Sequence, residues 1–498
     1  MEDKMPELQE VFVTTGEPTY TFVKPQEYNK LLLALKTPGK GIVIEGPSGI
    51  GKTTAIKHLL RELQQDSKVT FLSARNFEDM ELITNLNDLV PFGIVIIDDF
   101  HRLNEIAQKN IADKMKHLAD ISDCNNKLIV IGINQAGKRL IEFGLDLATR
   151  IEIVKFEANS IEKVLELIEL GENALNITIK CKQKIAEAAN GSFYMAQELS
   201  TNACLQCGLL QSSAQKMDIN ISAEDVIDDV FQKMDIKFNA IISKFAVGPR
   251  FRKEGRAPYY HLLKWLGEAK TFSIHIPTEM NKHVTQKPGV TQIYAKGYLE
   301  NFITSEKVFE PWIFLSGENL IIQDPQLVFY LSNLDWEKLR EQIGYSPFNE
   351  ENQFDFALSF AGENRNIAKA LKKIIEESEI SIFYDNDHAA EMLAENVDEY
   401  LAPIYASQAK YIICILSKHY PRKVWTVFES KQYKEKIQNC EVIPIVLPDC
   451  PISPTDPLFN RGRIEFSEKA LLEEASFEEE VQRIAAMLTE KLCTSRQP

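Results

Sequence analysis

Residues Gly41-Ile-Val-Ile-Glu45 run directly into Gly46-Pro-Ser-Gly-Ile-Gly-Lys-Thr-Thr54. The first five read as a short buried strand, and the next nine satisfy G-x-x-x-x-G-K-[ST]. An amphipathic helix from Thr53 to Gln64 follows, so the loop lies between strand and helix, where a phosphate cradle needs to be. The glycines let backbone N–H groups curl around a phosphate, and the helix N-terminus adds a favourable dipole. Lys52 would neutralise the β- and γ-phosphates, and the Thr53 hydroxyl would ligate Mg²⁺. Gly46, Pro47, Ser48, Gly49, Ile50, Gly51, Lys52, Thr53 and Thr54 are therefore the expected ATP-binding loop.

Downstream, Gly93-Ile-Val-Ile-Ile97 is a second apolar strand that ends in Asp98-Asp99. Asp98 is assigned to the magnesium shell and Asp99 to the attacking water. A third strand, Leu128–Ile133, ends at Asn134, where a polar side chain can reach the γ-phosphate. Arg150 precedes a fourth strand, Ile151–Phe156. It is either a phosphate contact, in cis or across a subunit interface, or a surface arginine at a strand start. Alternation of these strands with helices at Glu105–Leu118 and Ala136–Phe143 predicts a parallel sheet covered on both faces.

The 498 residues allow roughly three domains at about 150 residues each. With 72 acidic against 56 basic residues, the net charge of −16 argues against a protein that coats nucleic acid through bulk charge. The eight cysteines are scattered, and only Cys204 and Cys207 form a CxxC, which reads as two small apolar residues on one helix face. No apolar run approaches the roughly 20 residues of a membrane span, and no signal-peptide pattern is visible, so a cytoplasmic protein is expected.

On these motifs, the stretch from Tyr20 to Glu157 resembles the STAND regulatory ATPases, relatives of the AAA+ and replication-initiator ATPases. Asp98-Asp99 fits the acidic pair of that class, where relatives often carry Asp-Glu, so the resemblance implies slow ATP hydrolysis or binding only. The helical stretch from Ser160 to Lys237 takes the place of the family's lid. Its Gly191-Ser-Phe-Tyr194 lacks the nucleotide-sensing arginine of many relatives.

Further on, helical patterns at His261–Ala269 and Val290–Phe302 precede two short strand-like runs, Trp312–Leu315 and Asn319–Ile322, and the whole resembles a winged-helix domain. Residues Arg250 to Arg340 hold 12 basic and 10 acidic residues, and Arg250, Arg252, Lys253 and Arg256 cluster ahead of the first helix. The second helix offers only Lys296 and Glu300, too few groups to read a groove, which favours a winged helix packed on the nucleotide domain over one on DNA.

Beyond a polar stretch at Glu341–Asn352, strands and helices alternate again. Phe354-Asp-Phe-Ala-Leu-Ser-Phe-Ala-Gly-Glu363 is a strand running into a turn and helix; Ile380–Tyr384, Tyr411–Ser417, Val442–Leu447 and Arg463–Phe466 are the other strands. Such sheets gather functional groups beyond the strand carboxyl ends, here Ala361 and Gly362, Asp385 and Ser417. The segment resembles a TIR domain over Asp355–Leu492. Its opening box and Ser417-Lys-His-Tyr-Pro-Arg-Lys-Val-Trp-Thr-Val-Phe-Glu429 carry the likeness. The resemblance implies cleavage of NAD⁺ at the nicotinamide–ribose bond, with Glu429 the catalytic carboxylate. It places Phe360, Ala361, Asp385 and Trp425 around the nucleotide. Trp425 and Glu429 stand one helical turn apart and share a face.

The expected protein is thus a multidomain α/β chain. It comprises a P-loop NTPase domain (1–158), a helical lid (159–245), a winged helix (246–340), a linker (341–353) and a flavodoxin-like TIR domain (354–498). It would use ATP or ADP with Mg²⁺ as a switch and NAD⁺ as substrate. It would self-associate on a phage-derived or nucleic-acid trigger, away from any membrane. The other reading is an ATP-dependent DNA-binding regulator whose TIR domain is only a scaffold.

Overall fold

The computed structural model describes residues 5–65, 68–86, 93–132, 136–250, 256–345, 352–388, 393, 397–420, 436–451 and 462–493. The chain divides into two compact units. The first comprises Met1–Asn239, Leu266–Ser273 and Pro311–Asn333; the second comprises Ala240–Trp265, Ile274–Glu310 and Leu334–Pro498.

The first unit is built on five parallel strands: β1 (Gly41–Glu45), β2 (Val69–Ser73), β3 (Ile94–Asp98), β4 (Lys127–Gly132) and β5 (Ile151–Lys155). Their spatial order is β2-β3-β4-β1-β5. Every residue of β1 and β4 is buried, as continuous apolar runs in a sheet covered on both faces require. Ile42, Val43 and Ile44 are each fully buried, worth about 1.5–3 kcal/mol apiece. Val43, Val95, Ile97 and Val130 pack with Ile111 and Met115 of helix Glu105–Asp120 in one core. Asn104 starts that helix by accepting a bond from Ala107 N–H, so the chain leaves β3 at a defined angle.

Also within this unit, the helices Ile161–Leu175, Lys182–Ala188 and Phe193–Gln206 form a lid-like layer. An antiparallel hairpin, Ile313–Ser316 with Asn319–Ile322, has its turn at Gly317. Helix Pro325–Ser332 follows, capped by Asp324.

The second unit carries a second parallel sheet: β6 (Phe354–Phe360), β7 (Ile382–Phe383), β8 (Ala409–Leu416), β9 (Val442–Val446) and β10 (Ile464–Glu465). Its order, β7-β6-β8-β9-β10, is the flavodoxin-like 2-1-3-4-5. Helices Arg365–Glu377 and Glu474–Cys493 bury Leu371, Ile375, Ile484 and Leu488 against Phe356, Ile413 and Ile445. Also in this unit, the expected helix Val290–Phe302 is two helices, Lys287–Ala295 and Tyr298–Ser305, divided at Gly297, whose φ of 72° ends the first. Among the described residues no helix is long and apolar enough to cross a membrane.

Candidate functional site

In the first unit a cavity of about 440 Å³ opens over the loop after β1, within the roughly 300–1,000 Å³ usual for small-molecule sites. Ser48, Gly49, Gly51, Lys52, Thr53 and Thr54 line it from the loop, and Asp98 and Asp99 from the end of β3. Gly46 and Pro47 lie beneath, their carbonyls accepting bonds from Lys52 Nζ, the first at 2.7 Å. Ile50 is fully buried and anchors the loop in the core. At Gly49 the backbone has φ +71°, and a Cβ there would stand 2.7 Å from Pro325 Cγ, so only glycine fits.

Charge in the cavity is concentrated at one end. Burial draws the Lys52 pKa down to about 8, with Asp98 and Asp99 pulling the other way. Burial and the neighbouring Asp99 together hold Asp98 above its ordinary pKa, against Lys52 and Thr53, so this carboxylate is short of countercharge. Thr53 Oγ1 lies 3.4 Å from Asp98 Oδ2. A hydroxyl, an under-compensated carboxylate and a lysine at a helix N-terminus are a donor set that fits magnesium-bound phosphates. Asp99, in a left-handed conformation at φ 59°, is held by Arg75, Nη2 to Oδ1 at 2.9 Å and Nε to Oδ2 at 2.7 Å. His101 completes this corner; burial lowers its pKa to about 4, and its buried Nδ1 has no hydrogen-bond partner.

Sequence reasoning missed the opposite end of the cavity. The N-terminal segment supplies Val13, Thr21, Phe22 and Val23, and the lid-like helices supply Leu167, Phe193, Tyr194 and Gln197. Gln197 Oε1 accepts from Val13 N–H at 2.5 Å and lies 3.2 Å from Thr21 Oγ1, which ties that segment to helix Phe193–Gln206. Gln323, at the hairpin's end, also lines the cavity, and its carbonyl accepts from Ser48 N–H at 3.0 Å. None of these residues belongs to a local motif.

Two expected residues are not among the described lining. Arg150 does not line the cavity; its guanidinium binds Asp120 at 2.8 Å and Asp146 at 3.0 Å, so within one chain it occupies a surface position at the start of β5. Asn134 lies outside the described residues.

In the second unit, Phe360, Ala361 and Asp385 come together at the carboxyl ends of β6 and β7. Phe360 stacks on Tyr384, centroids 5.7 Å apart at 15°. The Arg365 guanidinium lies 5.3 Å from the Phe360 centroid and contacts Asp385 Oδ1 and Oδ2 at 3.2 and 3.3 Å. Beside β8, Ser417 Oγ donates to Asn364 Oδ1 at 2.6 Å, bridging β6 and β8 where the strand order reverses. Sequence reasoning named neither Arg365 nor Asn364. Trp425 and Glu429 lie outside the described residues.

The basic cluster ahead of the middle helices is partly turned inward. Arg250 Nη1 donates to Glu377 O at 2.7 Å, and Arg256 Nη1 is buried. Arg252 and Lys253 lie outside the described residues.

Sheet order, phosphate loop and acidic strand end define a P-loop NTPase domain, and the flavodoxin-like order defines a second α/β domain. Comparison with known families makes both particular: residues 22–187 match Novel STAND NTPase 3, and residues 356–485 match the TIR domain. The chain carries a STAND NTPase domain and a C-terminal TIR domain. It is similar to the 3' cyclic ADP-D-ribose synthase AaTIR of Aquimarina amphilecti, 36% identical over 81 residues, which is 16% of this chain and 25% of that protein. The chain thus spans a quarter of that relative's length. Among solved structures it is similar to the RuvB Holliday junction branch migration motor of Thermotoga maritima, at 16% identity and a TM-score of 0.36, covering 66% of this chain and 100% of that one. The Aeropyrum pernix ORC2 protein scores 0.35 at 12% identity, covering 67% and 96%.

Proposed function

We propose that the chain is a nucleotide-controlled NAD⁺-cleaving effector. In this reading the TIR domain breaks the bond between nicotinamide and ribose, and the bonding pair leaves with neutral nicotinamide. Water, or a nucleophilic group of the same molecule such as a ribose hydroxyl, then adds to the anomeric carbon and loses a proton to solvent, giving ADP-ribose or a cyclic form. The observation that carries the reading is the meeting of Phe360, Ala361 and Asp385 at the strand carboxyl ends of a domain matched as TIR. The likeness to a cyclic ADP-ribose synthase supports it. Glu429 would stabilise positive charge on the ribose and hold its hydroxyls, while Trp425 walls the pocket.

The first unit supplies control. Gly46 to Thr54 would cradle the phosphates of ATP or ADP, with Thr53 and Asp98 holding Mg²⁺, and Asp99 beside the water. Nucleotide exchange would favour self-association, which brings TIR domains together; a phage-derived or nucleic-acid trigger, cytoplasmic NAD⁺ depletion and defence follow from this reading. The domain limits 1–158, 159–245, 246–340, 341–353 and 354–498 belong to it, with the middle portion a regulatory winged helix. Nicotinamide release from NAD⁺ by the full chain tests the proposal. Release in wild type and its loss in Glu429→Ala are expected; no release with ATP or ADP under any self-associating condition overturns it.

A further inference from the structure

The last turn of helix Arg365–Glu377 is capped by groups from another part of the chain. Its carbonyls are the orphan acceptors of a helix end. Gln292 Nε2 donates to Glu376 O at 3.1 Å and to Ile380 O at 2.8 Å, and Arg250 Nη1 donates to Glu377 O at 2.7 Å. Lys296 Nζ pairs with the Glu376 carboxylate at 2.8 Å, and Tyr259 OH donates to Glu379 at 3.3 Å. Glu376, Glu377 and Glu379 are acids at a helix C-terminus, where the macrodipole disfavours negative charge. Arg250 and Lys296 offset that repulsion, together with Lys372 of the same helix, 3.6 Å from Glu376 Oε2.

Behind these contacts, Arg256 Nη1 is buried and unpartnered beside a cavity of about 20 Å³ that Asp355 and Ser381 also line. That space holds about one water, which would bridge guanidinium and carboxylate. Asp355 Oδ2 is already bound to Ser381 N and Oγ at 2.9 and 2.8 Å, so the buried arginine faces a carboxylate fixed in place.

Two properties decide what such a junction does. Its contacts are mainly polar, and apart from the Arg256 corner water can replace each of them, so it can open at modest cost. It also grips the far end of a thirteen-residue helix, about 18 Å along the axis from Arg365 at its start, and Lys372 Nζ, 3.6 Å from Glu376 Oε2 and 2.7 Å from Asp387 Oδ2, links it to the segment after β7.

We propose that Arg250, Gln292 and Lys296 form a latch on the end of helix Arg365–Glu377 that keeps the TIR domain in a resting placement, and that self-association requires the latch to open. The inference rests on the reading of the TIR domain as an effector that acts when assembled.

The test uses the full chain as wild type, Gln292→Ala, Lys296→Glu and the charge-swapped pair Lys296→Glu with Glu376→Lys. Three quantities are read without added nucleotide: amide hydrogen exchange at residues 376–380, sedimentation, and nicotinamide release. Both single variants are expected to exchange faster at 376–380, to self-associate more, and to release nicotinamide about fivefold faster, the low end of ordinary coupling energies. The swapped pair is expected to return all three toward wild type. Unchanged exchange overturns the latch, and so does faster exchange without increased self-association. Should no variant release nicotinamide while self-association still follows exchange, the latch stands and the NAD⁺-cleaving reading falls.

Discussion

Arg75 grips Asp99 with two bonds, Nη2 to Oδ1 at 2.9 Å and Nε to Oδ2 at 2.7 Å, at the mouth of the phosphate-loop cavity. In the proposed reading Asp99 orients the attacking water, and here a neighbouring cation occupies that carboxylate while the backbone stands at φ 59°. Arg75 is largely exposed, so the pair is worth at most about 1 kcal/mol. Arg75→Ala is therefore expected to raise basal phosphate release from ATP by about fivefold, the rate equivalent of that energy. Asp99→Asn in the same background should remove the gain. A fall in phosphate release in Arg75→Ala would mean that the arginine works on the phosphates instead.

Lys52 makes nucleotide binding pH-dependent in a defined direction. Its pKa is depressed to about 8 from an ordinary 10.5 because the ammonium is buried. Without nucleotide, the cost of keeping it charged is present below pH 8 and is relieved as pH rises toward 10.5. Phosphate oxygens beside Nζ stabilise the ammonium, so binding takes up a proton when pH exceeds 8. Affinity for ATP should be level from pH 6.5 to 7.5 and then fall, by up to about tenfold per pH unit above 8. Calorimetry at pH 8.5 in buffers of different ionisation enthalpy should show proton uptake, absent in Lys52→Met.

Why some of this was legible in the sequence and some was not follows from particular residues. β1, β3 and β4 are central strands, so Ile42–Ile44, Ile94–Ile97 and Leu128–Ile131 had to be unbroken apolar runs. The loop and Asp98-Asp99 then sat at their carboxyl ends by construction. β2 went unread because it is an edge strand in which only Leu72 is buried. Val13, Gln197 and Gln323 reach one cavity from segments far apart in sequence, a convergence with no local pattern. Arg75 and Arg365 follow strands as single basic residues, and nothing in composition separates them from solvated ones. Ala361 and Asp385 followed from the strand-end rule as well as the family likeness, and Phe360 from the likeness alone; the flavodoxin-like sheet order is the one expected.

Gly49 couples the phosphate loop to the helix that begins at Pro325, just after the hairpin. Its φ of +71° already disfavours any side chain, and a Cβ would meet Pro325 Cγ at 2.7 Å and Tyr194 Cβ at 3.0 Å. Gly49→Ala should lower stability by about 1–3 kcal/mol and shift the thermal midpoint down. It should also weaken ATP binding, because Ser48 N–H loses its bond to Gln323 O as the loop moves. An unchanged midpoint with normal ATP affinity would show that the loop and hairpin are not coupled.

Arg365 links the two aromatic rings and the acid at the TIR strand ends. Its guanidinium lies over Phe360 and near Tyr384, and the pair with Asp385 holds that carboxylate beside the rings. The side chain is substantially exposed, so its removal should cost little in folding but leave Asp385 without its partner. If NAD⁺ is bound at this edge, Arg365→Ala should raise KM about fivefold with kcat within about twofold, the pattern of lost uniform binding. Arg365→Lys should recover little, because an ammonium cannot make the paired bonds to both carboxylate oxygens. A large fall in kcat at unchanged KM would place Arg365 at the reacting bond itself.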